Sequence, residues 1–346
     1  MQVRFPPDEP GHLCHGKYCD PVYPVVRWLA GTNRQRISGR DRSAGQLYEP
    51  DPAGAGSLAN LIVAVTRALA CAIRINEVFQ VNSSMEEGTK EGTKESGKPR
   101  VAFDHVTFTY GGAQEASLTD ISFSAMPGET IGIIGGTGSG KSTLVNLIPR
   151  FYDATEGSVT VDGQDVKTYT FQHLREKIGV VPQKAVLSLG TIRSNLQWRR
   201  KDAKESELWK ALQIAQAEEV VKKKQKGLDE KVETGGRNFS GGQRQRLTIA
   251  RALVGEPDIL ILDDSASALD FATDAALRRS IKENTKKATV FLVSQRAATV
   301  KNADQILVLD DGKLVGKGTH EELLKNCNVY KEICMSQFSS QEVAQL

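Results

Sequence analysis

A glycine-rich loop between an apolar run and a helix is the feature that most constrains how this chain can fold. The loop, Gly135-Gly-Thr-Gly-Ser-Gly-Lys141-Ser142, directly follows the apolar run Thr130–Ile134. Glycines allow backbone N–H groups to turn inward around phosphates, and the helix N-terminus adds a partial positive charge. Lys141 can then reach the terminal phosphates and Ser142 can ligate Mg²⁺. The loop therefore predicts a phosphate-binding site.

The rest of the chain beyond Arg100 alternates short apolar runs with helices, which indicates a mostly parallel sheet covered by helices. Residues 184–248 are predominantly helical and polar instead, so we expect a helical subdomain there. The expected buried strands contain Ile131–Ile134, Ile259–Leu262, Val290–Val293 and Ile306–Leu309.

Two adjacent carboxylates end one of these predicted strands. Asp263 and Asp264 follow Ile259–Leu262, at the tip where a parallel sheet binds its ligand. Asp263 is the natural Mg²⁺ partner of Ser142. Phosphoryl transfer needs little beyond positioning, neutralised charge and an oriented water, so these elements indicate a nucleoside triphosphate site without saying what it drives.

A second glycine turn leads into another helix, in the string Asn238-Phe-Ser240-Gly241-Gly242-Gln243. This is a second phosphate-binding helix terminus in the same chain. One nucleotide cannot use two such loops of one molecule unless two molecules face each other head to tail.

With these motifs in order and at these spacings, residues 100–338 resemble the nucleotide-binding domain of exporter-type ATP-binding-cassette (ABC) transporters. The resemblance implies a P-loop NTPase (RecA-like) core with an inserted helical subdomain and an antiparallel β edge. It also implies ATP and Mg²⁺ as ligands. The implied nucleotide contacts are Tyr110, which would stack on adenine, and Gly135, Gly136, Thr137, Gly138, Ser139, Gly140, Lys141, Ser142 and Thr143.

The same resemblance assigns roles to residues outside the first loop. Gln183, in Val-Pro-Gln, matches the loop that senses Mg²⁺, water and the membrane domain. The implied Mg²⁺ ligands are Ser142, Gln183 and Asp263. The loop Ser267-Ala-Leu-Asp270 would cross the dimer interface, and the partner's ATP would be clasped by Ser240, Gly241, Gly242 and Gln243.

Two departures from the family change the expected mechanism. The family has a glutamate after the metal-binding aspartate, where this chain has Asp264, and a switch histidine where this chain has Gln295. Both departures fall in the composite site built on this chain's own loops, with catalytic candidates Asp264, Gln295 and Gln183. A displacement of about 1 Å can cost ~10²-fold in rate. The chain therefore resembles the degenerate half of heterodimeric exporters, whose partner half would have the intact Glu and His.

The altered sequence around the second turn also bears on coupling. Phe239 replaces the usual leucine, and Gly235-Gly236-Arg237 departs from the commoner Gly-Glu-Arg-Gly form. The usual contact with the opposite membrane domain is therefore in question.

The N-terminal third has a different character. Residues 1–56 hold seven of the twelve prolines and lack periodicity, so we expect an irregular segment. Residues 57–85 resemble the C-terminal part of an exporter's sixth transmembrane helix and its descent. A Gly/Lys/Glu linker at 86–99, expected to remain solvated, precedes the ATP-binding domain at 100–338, and residues 339–346 form a tail.

The five preceding helices of an exporter are missing, and two explanations stay open. Residues 46–56 can be back-translated so that reading one base later gives a plausible start of the sixth helix. We interpret residues 1–56 as translated out of frame in the C-terminal part of a longer half-transporter; a genuine extension is the alternative. Leu58–Ile73 has few apolar residues and includes Arg67, so we expect that it cannot span a bilayer alone and that this chain alone is soluble or peripheral.

The expected function is ATP binding and weak hydrolysis that drive export at the cytoplasmic face of the cell membrane, together with ABC transmembrane domains. Five scattered cysteines suit a reducing compartment, and a net charge of +3 gives no basic face for nucleic acid. The alternatives are a soluble ABC-type ATPase not coupled to transport and a truncated, non-functional product. The transported substrate is invisible because the membrane domain chooses it.

Overall fold

A computed structural model describes residues 52–337, apart from 82, 84, 93–96, 266, 267 and 286; for residues 52–55 it describes the backbone only. The chain divides after residue 82 into two compact units. The proposed out-of-frame segment up to residue 51, the loop residue Ser267 and the predicted tail at 339–346 lie outside the described residues.

The elements alternate along the chain as the sequence predicts. The strands are β1 (Val101–Phe108), β2 (Leu118–Ala125), β3 (Thr130–Gly135), β4 (Glu156–Val161), β5 (Gln164–Asp165), β6 (Ile178–Val181), β7 (Gly190–Thr191), β8 (Lys231–Val232), β9 (Ile259–Asp263), β10 (Thr289–Val293), β11 (Gln305–Asp310) and β12 (Lys313–Gly318). The helices are α1 (Pro52–Phe79), α2 (Lys141–Leu147), α3 (Phe171–Glu176), α4 (Ile192–Leu196), α5 (Glu205–Ile214), α6 (Glu218–Lys222), α7 (Gly241–Leu253), α8 (Phe271–Asn284), α9 (Ala297–Val300), α10 (His320–Asn326) and α11 (Asn328–Gln337).

The N-terminal unit contributes the long helix α1. It begins at Pro52 rather than at the predicted Ser57, because proline is well tolerated in the first turn of a helix. Residues 52–56 are therefore helical and not irregular.

Helix α1 extends beyond Leu58–Ile73, the stretch that we expected not to span a bilayer alone. Gly56–Phe79 is a 24-residue stretch long and apolar enough to do so by length and composition. Thr66, one of its polar interruptions, donates its hydroxyl to the carbonyls of Ile62 and Val63, each at 3.0 Å, so this hydroxyl is satisfied within the helix. The large apolar side chains of α1 are exposed, from Val63 at 41% to Phe79 at 80%.

A six-stranded sheet forms the centre of the second unit, in the order β12-β11-β3-β10-β9-β6. β11, β3, β10, β9 and β6 are parallel, and β12 pairs antiparallel with β11 at the edge. All four predicted buried strands are confirmed. Because β3, β9, β10 and β11 are parallel, their carboxyl ends meet at one edge of the sheet, where parallel sheets bind ligands.

A four-stranded antiparallel sheet, β2-β1-β4-β5, confirms the predicted antiparallel part of the fold. Its inward residues share one core with α2 and the parallel sheet, including Phe103 and Phe123, whose rings stack at 4.7 Å. The helices α4 to α7 share a separate core that includes Phe239, which is 4% exposed, so the unusual phenylalanine beside the second glycine turn is a packing residue.

The backbone of the linker is hydrogen-bonded to the domain over residues 86–92, while Glu86, Glu87, Thr89, Lys90 and Glu91 are exposed. The backbone N–H groups of Gly88 and Lys90 donate to Tyr169 O at 3.1 Å and Thr168 O at 2.9 Å. A Cβ on Gly88 would lie 2.2 Å from Thr168 O, and one on Gly92 would lie 2.0 Å from the Tyr169 ring. The two glycines permit this close backbone approach, which the polar composition of the linker did not predict.

Candidate nucleotide site

The glycine loop joins β3 to α2 at the carboxyl edge of the parallel sheet, as the sequence predicts. Gly140 has φ +91°, a left-handed conformation that favours glycine, and it begins α2 without any side-chain cap. A Cβ on Gly135 would lie 2.1 Å from Leu309 O of β11. The loop can follow this path only with glycines at these points, and its helix leaves its first N–H groups without a side-chain partner.

Lys141 lies across the loop with only 9% of its surface exposed. Its Nζ donates to Gly135 O at 2.9 Å, to Gly136 O and to Ser139 Oγ at 3.3 Å. Burial lowers the pKa of this ammonium, while the carboxylates of Asp263 and Asp264 oppose that shift. The result is a positive charge held at the centre of the loop by backbone carbonyls.

Ser142 and Asp263 meet directly across the edge of the sheet. Ser142 Oγ donates to Asp263 Oδ1 at 3.1 Å. Burial raises the pKa of Asp263; the Ser142 hydrogen bond and Lys141 oppose the shift, and Asp264 adds to it. Hydroxyl and carboxylate oxygens are hard ligands of the kind that Mg²⁺ prefers, and a desolvated carboxylate gains most from a nearby cation, so these residues fit a magnesium ion.

Asp264 and Gln183 also lie together. Gln183 Nε2 donates to Asp264 Oδ2 at a long 3.5 Å. Asp264 has φ +43°, a conformation uncommon outside glycine, and its backbone N–H donates to Val293 O of β10 at 2.9 Å. The carboxylate of Asp264 therefore stands on a left-handed backbone fixed to the neighbouring strand.

These residues line one cavity of about 400 Å³. Most of the residues predicted from the sequence are part of its wall: Tyr110, Thr137, Gly138, Gly140, Lys141, Ser142, Thr143, Gln183, Asp263, Asp264 and Gln295. The lining does not include Gly135, Gly136 and Ser139, which accept the hydrogen bonds of Lys141 Nζ.

Sequence reasoning missed part of this wall, namely Ala116, Ser117, Val293, Ser294, Asp311 and Gly312. Asp311-Gly312 forms the turn between β11 and β12, and Gly312 O accepts the Thr119 N–H at 2.8 Å. The Asp-Gly pair is a strong turn signal, yet only the sheet order shows that this turn returns to the glycine loop.

Tyr110 belongs to an aromatic group beside the loop. Its ring packs edge-on against Phe108 at 4.7 Å and Tyr152 at 5.1 Å, and its hydroxyl shares a 3.1 Å hydrogen bond with Thr143 Oγ1. Of this group only Tyr110 lines the cavity, where its ring offers an aromatic face to a planar base.

The second glycine turn lies apart from this lining. Ser240 Oγ accepts the Gln243 N–H at 3.3 Å, and Gln243 Oε1 accepts the Ser240 N–H at 3.1 Å, which closes a capping box at the start of α7. A Cβ on Gly242 would lie 3.3 Å from Ala268 O. None of Ser240, Gly241, Gly242 and Gln243 lines the cavity.

Asp270 starts α8 as an N-cap. Its carboxylate accepts the Thr273 N–H at 2.8 Å and the Thr273 hydroxyl at 2.9 Å, and these hydrogen bonds lower its pKa. Like the second glycine turn, Asp270 is absent from the cavity lining.

Comparison with known proteins gives a consistent answer. The family model described as ABC transporter matches residues 118–267. The chain is 44% identical over 278 residues to an uncharacterized ABC transporter ATP-binding protein of Bacillus subtilis, covering 80% of this chain and 48% of that protein. It is 38% identical over 274 residues to the ATP-dependent lipid A-core flippase of Haemophilus ducreyi, covering 79% of this chain and 47% of the flippase.

A solved structure of a bacterial Atm1-family ABC exporter with ATP bound is also similar. It matches with a TM-score of 0.75 and 31% identity, over 82% of this chain and 49% of the exporter chain. This chain spans about half the length of the curated relatives described above.

Proposed function

This chain carries an ABC transporter ATP-binding domain, and from that premise we propose that it binds MgATP and serves as the nucleotide-binding part of an ABC exporter. The observation that carries the proposal is the single cavity that collects Lys141, Ser142, Asp263 and Gln183 at the carboxyl edge of the parallel sheet. Relatives described as ABC transporter ATP-binding proteins and as a lipid A-core flippase support the exporter assignment.

ATP would be held by groups that the cavity already orders. The loop N–H groups and Lys141 would bind the phosphates, Tyr110 would stack on the base, and Thr143 would add a hydroxyl beside it. Ser142, Asp263 and Gln183 would hold Mg²⁺, which when bound neutralises phosphate charge. Lys141 would exchange its bonds to the loop carbonyls for bonds to phosphate oxygens.

The chain's own site would hydrolyse ATP slowly. Asp264 is one methylene shorter than glutamate, so its carboxylate would stand farther from the attacking water, and about 1 Å of misplacement can cost ~10²-fold. Gln295 can hydrogen-bond a phosphate oxygen but cannot carry a positive charge there. The site would therefore mainly hold ATP.

Efficient turnover would belong to a composite site shared with a partner half-transporter. In a head-to-tail dimer, Ser240 to Gln243 of this chain would face the ATP bound by the partner's loop, and Asp270 would lie at the interface. A partner with an intact Glu and His would supply the groups that Asp264 and Gln295 lack. The intact second turn in this chain supports such a division.

Helix α1 supports a location of this chain at the cytoplasmic face of a membrane. Transmembrane helices would cover the exposed apolar side chains of α1 there. Expressed without a partner, the chain would attach only peripherally, because Arg67 lies near the middle of α1 and a central arginine costs about 3 kcal/mol in a bilayer. Carbonate extraction tests this: release from membranes is expected, and resistance would show that the apolar length of α1 outweighs Arg67.

The central test compares the full chain alone with the full chain co-expressed with a half-transporter that carries the intact Glu and His. Alone, the chain should bind ATP in the presence of Mg²⁺ and turn it over slowly. With the partner, turnover should rise well above the sum of the separate rates. Fast turnover by the chain alone, or a partner without effect, would contradict the assignment as the slow half.

A further inference from the structure

Gln337, at the end of α11, contacts the turn that carries Gln295. Its side-chain Nε2 donates to Gln295 O at 2.7 Å, and its Oε1 accepts the Ala297 N–H at 2.8 Å. One amide thus bonds the backbone on both sides of Arg296. Only this orientation of the amide pairs a donor with the carbonyl and an acceptor with the N–H.

Of two further bonds of this turn, one comes from the parallel sheet and one lies within the turn. The Ser294 N–H donates to Ile133 O of β3 at 3.0 Å, and Ser294 Oγ accepts the Arg296 N–H at 3.0 Å. Gln337 therefore adds the two bonds that tie the far side of the turn to a different part of the chain.

Helix α11 provides a firm support for this amide. Tyr330 and Cys334, which precede Gln337 by seven and three residues on the same helical face, are 0% and 1% exposed. They share a hydrophobic core with Ala297 and Val300 of α9, the helix that follows the turn. Tyr330 Oη also bonds His320 Nδ1 of α10 at 2.7 Å. The face that presents Gln337 is therefore packed against the element that it contacts.

We infer that Gln337 is a positioning residue for hydrolysis: it fixes the backbone of the turn and thereby the point from which residue 295 enters the cavity. This inference rests on the proposed function, in which the side chain at 295 meets the terminal phosphate. Misplacing a catalytic side chain by about 1 Å can slow a reaction strongly. Loss of the two Gln337 hydrogen bonds should therefore reduce turnover rather than nucleotide affinity.

The experiment uses the full chain carrying Asp264→Glu and Gln295→His, which the proposed function expects to be faster than the original. Gln337→Leu removes both bonds at similar size. Gln337→Glu keeps the acceptor for Ala297 but sets a carboxylate oxygen against the Gln295 carbonyl. Ser336→Ala is the matched control, because Ser336 Oγ donates only within α11, to Ile333 O at 2.8 Å.

The expected result is a kcat about tenfold lower for Gln337→Leu, an intermediate kcat for Gln337→Glu and an unchanged kcat for Ser336→Ala. The Kd for ATP should stay within about twofold in all of them, since a turn displaced locally leaves the phosphate loop intact. A merely structural role would lower the melting temperature and leave kcat at 25 °C unaffected. An unchanged kcat in Gln337→Leu, with turnover still raised by Gln295→His, would overturn the inference and leave the proposed function standing.

Amide hydrogen exchange at Ala297 in the otherwise unmodified chain provides a second measurement. Exchange should be faster in Gln337→Leu, which lacks the acceptor, than in Ser336→Ala. Equal exchange in the two variants would refute the positioning role of Gln337, whatever the turnover of the Asp264→Glu, Gln295→His chain. If that chain proved no faster than the original, the result would count against the proposed slow site and not against Gln337.

Discussion

Two helices of this domain begin at glycine turns, and they differ in whether side chains accept hydrogen bonds from their N-terminal N–H groups. Helix α2 begins at Gly140 with no side-chain cap, and the loop before it lines a cavity. Helix α7 begins at Ser240 with a closed capping box, and its first residues lie outside that lining. A helix that leaves its donors uncapped is prepared for an anion, whereas the capping box already satisfies the N–H groups of Ser240 and Gln243.

The difference bears on how one chain could contain the two proposed phosphate-binding turns. The first is surrounded by residues at or just after the carboxyl ends of the five parallel strands β3, β6, β9, β10 and β11, so its wall is complete within one chain. Among the described residues, only Ala268 and Leu269 would lie within 4 Å of a Cβ on Gly241 or Gly242, so one wall borders this turn there. A nucleotide could use the second turn only if another molecule supplied the remaining walls.

The largest expected effect breaks the complete site. Lys141→Ala removes the buried charge at the centre of the loop, and we expect ATP affinity to fall by about 100-fold or more, since hydrogen bonds from a charged donor are the strong ones. Calorimetry with the full chain measures this. Lys313→Ala, at an exposed position beginning β12, is the control. Unchanged affinity in Lys141→Ala would mean that the loop is not the phosphate site.

The next prediction concerns the second turn. Gly242→Asp places a carboxylate where the partner's terminal phosphate must dock, and like charges in a closed interface should reduce turnover of the assembled pair by about 100-fold or more. The chain's own ATP affinity should not change, because Gly242 is not in the cavity lining. Gly242→Ala controls for the added Cβ, which would lie 3.3 Å from Ala268 O.

Asp264→Asn gives the contrast in the same assembled pair. It alters the site that is expected to be slow already, so turnover should fall only a few-fold. Equal losses from Gly242→Asp and Asp264→Asn would mean that the two sites work alike, and a homodimer would then be preferred.

Much of the first site could be predicted from the sequence because its residues are close in the chain or end a strand. Lys141 and Ser142 follow their glycines directly, and Asp263 ends an apolar run. Other parts depend on which strands are neighbours: Gly312 reaches the loop through the order of β11 and β3. The polar composition around Gly88 gave no sign of its close approach to Thr168. The contact of Gln337 with the turn at Gln295 depends on how the last helix packs.

Restoring the family's residues tests whether the complete site is slow for the stated reason. Asp264→Glu with Gln295→His should raise the turnover of the chain by about tenfold. Each single change should give less, because the carboxylate orients water while the imidazole supports the phosphate. Steady-state hydrolysis measures the rates, and the same pair of changes on a Lys141→Ala background should give none of the gain. A gain that survives there would point to contaminating activity.

The smallest expected effect concerns the free energy of unfolding of the nucleotide-free chain, which the buried Asp263 carboxylate lowers. Burial raises the pKa of Asp263, so the folded chain binds this proton more tightly than the unfolded chain does. As pH rises from the ordinary aspartate pKa of about 3.9 through the raised value, the unfolded chain releases its proton first and the free energy of unfolding falls. At neutral pH that loss is complete, and Asp263→Asn avoids it while keeping an oxygen for the Ser142 hydroxyl.

We therefore expect Asp263→Asn to raise the melting temperature of the nucleotide-free chain by about 1–3 °C at pH 7.5, and the gain to vanish near pH 4. Asp310→Asn, at an exposed position, should do neither. Adding MgATP should reverse the order, because a ligand stabilises only the protein that binds it and the variant has lost a metal ligand. If the variant without nucleotide is less stable than the original, the Asp263 carboxylate already stabilises the empty site. The uncapped turn would then not lower the stability of the chain at Asp263, and the contrast with the self-capped turn would not hold there.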